Sequence, residues 1–206
     1  MTMPVLGNAD YCVLNAVALK KMATAGALAD LTGLPPGQVE DRLSHLAGLG
    51  LVETVAGSAL PSDVAEAALK ASAAEHYEAL REDPAVLALA DGFEDINARL
   101  LTAMSAWQQV DIGGQKVAND HADAAYDDKI ITRIERLVQR LDPLLAALTR
   151  HDERFAGYRQ RFAAALGAID EGRPELVSSV TADSVHTIWF EFHEDLLRTM
   201  GRERRE

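Results

Sequence analysis

Apolar and polar positions repeat with helical spacing over most of the chain. Early on, Ala27, Leu28 and Leu31 make a short apolar face. Thr24 stands before them as a capping residue whose side-chain oxygen takes a first-turn amide proton. Thr32-Gly33 ends that helix, because glycine tolerates the left-handed exit. Leu34 plugs the junction to a second helix, opened by Pro35-Pro36-Gly37, where proline in a first turn sacrifices no hydrogen bond. Val39, Leu43 and Leu46 follow at i, i+4 and i+7 as an inward stripe, leaving Gln38, Asp41, Arg42 and His45 outward. Gly48 and Gly50 bracket the exit. Leu51 to Val55 then alternates like a strand, and Ala56-Gly57-Ser58 makes a tight tip.

The rest of the chain reads as helix. One helix is predicted over 62–82 and another from Asp83-Pro84 to about Trp107, with Val86, Phe93, Ile96, Leu100 and Met104 on its apolar face. Asp111-Ile112-Gly113-Gly114 breaks the pattern. A third long helix starts between Asn119 and Ala122 and buries Ile130, Ile134, Leu137, Leu141, Leu144 and Leu148. Pro143 inside it is predicted to kink or split it. A fourth covers 152–170, and the last runs from Pro174 to Met200. Almost no sheet is predicted after the early strand. The class is mainly α: a domain at 1–69, then an all-α helical bundle at 70–206 able to enclose a ligand between helices.

The segment LADLTGLPPGQVEDRLSHLAGLGLVE resembles the helix-turn-helix of winged-helix bacterial regulators of the broad MarR and GntR class, over roughly residues 10–69. The resemblance implies an N-terminal winged helix-turn-helix with a short β wing, and a homodimer on a palindromic double-stranded DNA operator. It also implies DNA contacts from Gln38, Arg42, Ser44 and His45. The ordering from Asp120-His121 through RFAAALGAIDEGRPEL is similar to the helical effector domain of FadR-type regulators. That domain's aspartate and three histidines for a metal are not reproduced. Val117 stands one turn before His121, Arg161 or Phe162 replaces a histidine, and His186 matches only with a register shift. No metal and no cofactor are predicted.

Charge qualifies the DNA reading. The net charge is −12, and residues 1–69 hold Lys20, Lys21 and Arg42 against seven carboxylates. DNA affinity rests mainly on neutralising phosphates. Asp41 on the reading helix repels phosphate, although a carboxylate can accept from cytosine. The alternative is therefore a winged-helix protein-interaction module that does not bind DNA. Cys12, the single cysteine, makes no internal disulfide and is expected as a buried thiol among Tyr11, Val13, Leu14 and Val17. There is no bilayer-length apolar run and no secretory pattern, so a cytoplasmic protein without a membrane partner is expected. Enzyme signatures are missing: no phosphate-binding glycine loop, no Gly-x-Ser-x-Gly elbow, no His-Glu-x-x-His helix.

The TIWFEFHEDLL segment is the densest aromatic patch. It reads as core or dimer interface, or as the wall of an effector pocket offering His186, Trp189 and His193, with Trp107 and Tyr126 from other helices. His186 and His193 lie two turns apart, about 10 Å along a helix axis, too far to clasp one ion. Asp183 and His186 have a spacing that permits it. Arg198, Arg202, Arg204 and Arg205 form a basic tail, read as a solvated helix end or a source of phosphate contacts. Together these features predict a dimeric regulator, not an enzyme, whose effector shifts the spacing of two DNA-reading heads.

Overall fold

A computed structural model describes residues 5–203. Arg204 and Arg205 of the basic tail lie outside the described residues. The fold is mainly α with small antiparallel sheets. The chain forms two compact units, Met1–Asp83 with Glu191–Glu206, and Pro84–Phe190. The sequence places a division at 69/70; the first compact unit reaches Asp83 and includes the stretch from Glu191.

The first unit is built on α1 (Asn8–Lys20), which buries Tyr11, Val13, Leu14, Val17 and Leu19 and so packs on several sides at once. Cys12 is only half-buried there, a correction to the buried thiol expected from its apolar neighbours. Strand β1 (Ala23–Thr24) leads into α2 (Ala25–Thr32), where Thr24 Oγ1 accepts the Ala27 amide at 3.3 Å. Gly33 closes the helix at φ +70°, a conformation that penalises a side chain. α3 (Pro36–Gly48) follows directly. A hairpin of β2 (Val52–Val55) and β3 (Ser58–Pro61) then turns on Ala56 and Gly57, both at positive φ, as a two-residue hairpin loop favours. β1 pairs with β3, giving the order β1-β3-β2.

The helix predicted over 62–82 is two helices, α4 (Ala65–His76) and α5 (Glu78–Glu82). Tyr77 leaves helical geometry and buries its ring edge-on to Tyr11, 5.8 Å between centroids. Aromatic burial and edge-to-face packing there outweigh one helical hydrogen bond.

In the second unit, α6 (Pro84–Gln108) packs along α7 (Ala124–His151). Between them lies an unpredicted hairpin, β4 (Gln109–Ile112) and β5 (Gln115–Ala118). Gly113 and Gly114 both adopt positive φ, and Asp111 Oδ1 accepts the Gly114 amide at 2.8 Å. The two glycines that break the helix are therefore also a hairpin turn. The strands around them escape notice because most of their residues are exposed and leave no buried alternation. α7 runs through Pro143 unbroken. Gln139 and Pro143 both face solvent, so the carbonyl that loses its donor is open to water. Leu137, Leu141, Leu144, Leu145 and Leu148 hold the buried face on either side.

α8 (Ala156–Asp170) follows a single 3-10 turn at Glu153–Phe155. The last predicted helix starts late: Pro174–Val177 is a 3-10 turn, and α9 is Val185–Met200. Ser184 Oγ donates to Ser179 O and accepts the Thr187 amide, so this serine starts α9.

Candidate functional site

Val39 and Leu46 are fully buried and root α3 in the first unit, while Leu43 at the edge is half-buried. Half a turn round from Val39 and Leu46 lie Gly37, Asp41, Ser44 and Gly48, all exposed. Of the residues implicated in DNA contact, Gln38, Ser44 and His45 are exposed. Arg42 sits nearer the buried stripe than its outward assignment requires. It is half-buried and lies 3.5 Å from Asp10 of α1, while His45 Nε2 lies 3.7 Å from the same carboxylate. The outer pole of α3 therefore carries one negative charge, and its only formally cationic residue is tied to α1.

Most other cations of the first unit are also engaged. Lys20 pairs with Glu191 at 2.9 Å, Lys70 meets Glu203 at 3.5 Å, and Arg81 donates to the Arg198 and Thr199 carbonyls. Arg198, read from sequence as part of an exposed tail, has a side chain 9% exposed and binds Glu66 at 2.8 Å and Asn15. Burial would lower its pKa; the hydrogen bond and charge of Glu66, with the charge of Asp195, reverse this and raise it. It is a structural cation, unavailable to phosphate.

A run of exposed positive charge lies in the second unit. Lys129, Arg133, Arg136 and Arg140 share one exposed face of α7, spanning about 16 Å. With Arg99 of α6 and the carboxylate of Asp128 they line a groove of about 890 Å³. Among the described residues, no carboxylate stands within ion-pair distance of these four α7 cations. Arginine's planar fork suits phosphate oxygens.

A second cavity, of about 790 Å³, lies at the N-terminal end of α7. Asn119 ties the end of β5 to the end of α6, donating from Nδ2 to Trp107 O at 3.0 Å. The same Nδ2 lies 2.9 Å from Asp127 Oδ1, and Asn119 Oδ1 accepts the His121 amide. His121 is held at φ +58°, a conformation that costs a side-chain-bearing residue about 1–2 kcal/mol. Its ring rests on Trp107 with centroids 4.4 Å apart, and its Nδ1 is 2.9 Å from Asp127 Oδ2. Asp127 is nearly buried in the first turn of α7, where helix amides favour a negative charge. Asn119 Nδ2 also lies 3.3 Å from His121 Nδ1; in the neutral tautomer that donates Nδ1–H to Asp127, Nε2 is an acceptor. The sequence shows the components as Asn119, His121 and Asp127 straddling a helix start. Nothing in their spacing shows that the hairpin carries Asn119 back to Trp107.

Of the expected effector-pocket residues, Trp107 lines this cavity. Tyr126 does not line it; its hydroxyl donates to Ala106 O at 3.0 Å. Trp189 is core: 2% exposed, bonded from Nε1 to Asn97 Oδ1 at 3.0 Å, stacked on Phe93 and edge-on to Phe162. An aromatic that finds three such partners has no face left for a ligand. His186 is half-buried, and burial lowers its pKa. His193 is buried in the first unit, whereas Trp107 belongs to the second. Asp183 forms a two-pronged pair with Arg161, at 2.7 and 3.0 Å, and so is committed elsewhere than to a metal with His186. Among the described residues, no three His, Cys, Asp or Glu side chains gather as a metal site. No described helix is long and apolar enough to cross a membrane.

Comparison of the chain with protein-family models, with curated proteins and with solved structures found no match in any of the three.

Proposed function

We propose that the chain is a DNA-binding transcription regulator whose first unit is a winged helix-turn-helix and which acts as a dimer under a small-molecule effector. The observation that carries this reading is α3: a helix rooted by Val39 and Leu46, entered by a tight turn from α2 and followed by a hairpin, with Gln38, Ser44 and His45 exposed. A helix so placed fits the major groove, where Gln pairs with adenine and Ser or His reaches base edges. The α7 basic face, within the second unit, is suited in its own right to phosphate. Two copies would present two such helices to a palindrome, and an effector would act by its differential affinity for the two head spacings.

The second reading, a winged-helix module that binds protein, draws on Asp41 at the outer pole of α3 and on Asp10 holding Arg42 and His45. Selection of genomic fragments at low salt separates the two. The regulator reading expects a discrete set of palindromic fragments, released as salt rises and lost in a Gln38→Ala/Ser44→Ala/His45→Ala variant. Recovery of no fragment, or of the same set by that variant, rejects α3 as the reading helix.

A further inference from the structure

We infer that the cavity of about 790 Å³ at the start of α7 is a binding site for a small organic amine with an apolar body. This deepens the effector part of the proposed function, yet it is tested on the protein alone. Failure of DNA binding leaves it standing, and its own failure leaves DNA binding untouched.

The charge of the lining selects the ligand. Asp128 and Glu175 contribute carboxylates, and the lining contains no lysine or arginine. Neither carboxylate has an ion-pair partner among the described residues. Asp127 plays a different part. Both of its oxygens are occupied, one by Asn119 and one by His121, so it orients the site. His121 is fixed from three directions: by Asp127, by the Trp107 face and by its own left-handed backbone. In the neutral tautomer that donates Nδ1–H to Asp127, its Nε2 accepts a ligand N–H. Trp107, Ile131, Pro174 and Val180 supply apolar wall.

A ligand that satisfies this lining carries positive charge for Asp128 and Glu175, a donor for His121 and hydrocarbon for the rest. Within the lining an organic anion meets two carboxylates and no lysine or arginine, although Asp128 also borders the groove of Arg99, Lys129 and Arg133. A bare divalent ion lacks a third gathered ligand.

The test is calorimetric titration of the whole chain with 2-phenylethylamine, hexylamine and putrescine. The controls are 3-phenylpropanoate, an anion of similar size, and 2-phenylethanol, its neutral counterpart. The expected result is saturable binding of at least one amine, about tenfold or more tighter than the alcohol, with no binding of the carboxylate. Affinity falls as salt rises, because the two carboxylates are exposed. Asp128→Asn/Glu175→Gln, both surface changes, weakens the amine about tenfold or more. His121→Gln weakens it while the ring signals of Trp107 still report the cavity. Three results overturn the inference: no saturable amine binding up to about 10 mM, anion binding as tight as amine binding, or unchanged affinity in Asp128→Asn/Glu175→Gln with a native melting curve.

Discussion

Replacing Arg198 with methionine tests how the first unit holds the end of the chain. Arg198 lies on α9 with its side chain 9% exposed and reaches Glu66 on α4 and Asn15 on α1. Asn15 donates in turn to Asp195 Oδ1 at 3.0 Å, and Asp195 is fully buried. Methionine fills similar space but removes the cation. Glu66 loses little, since its carboxylate is 65% exposed and turns to water; an exposed pair of that kind contributes about 1 kcal/mol or less. Asp195, buried in the same network, contributes part of the charge that raises the Arg198 pKa. Stripping a cation from a buried charge network costs about 3–5 kcal/mol. Urea unfolding at pH 7 is expected to show a loss of that size for Arg198→Met. Glu66→Gln should lose about 1 kcal/mol or less. Equal small losses for Arg198→Met and Glu66→Gln would refute the reasoning and make the contact an ordinary surface ion pair.

Further predictions follow from other parts of the molecule. Gly201→Ala should cost about 1–2 kcal/mol from backbone strain alone, since Gly201 stands at φ +65°. Its Cβ would also meet the Arg81 guanidinium at 3.0 Å; a melt of the variant reads the total. Burial holds the His186 imidazole below its ordinary value, so the unfolded chain takes up that proton more readily. This part of the stability is whole above about pH 6.5 and is lost as pH falls. His186→Gln should flatten the acid limb of a stability–pH curve, by at most about 1.4 kcal/mol per pH unit. Burial, and then Asp170, raise the Glu135 pKa, so Glu135→Gln should raise the melting temperature at pH 7 and change nothing at pH 3. On the regulator reading, each of Arg133→Gln, Arg136→Gln and Arg140→Gln should lower the slope of log affinity against log salt by about 0.9 for duplex DNA. An unchanged slope in the triple variant would remove the α7 face from the DNA contact.

The amino-acid order by itself determined the local elements whose signals are local. Thr24 capping α2, Gly33 ending it, proline opening α3 and the Val39–Leu46 stripe all act within a few residues. They depend on backbone torsion and helical spacing, which neighbours in sequence fix. Tertiary structure decided the rest, because partners there are far apart in the chain. Tyr77 breaks a good helical pattern to reach Tyr11, and the exposed β4–β5 hairpin leaves no buried alternation to read. Arg42 and Arg198 look like free cations until Asp10 and Glu66 are brought beside them. Trp189 looks like a pocket wall until Phe93, Asn97 and Phe162 enclose it. Whether a charge or a ring is available to a ligand depends on what long-range packing has already spent it on, and spacing along the chain does not carry that information.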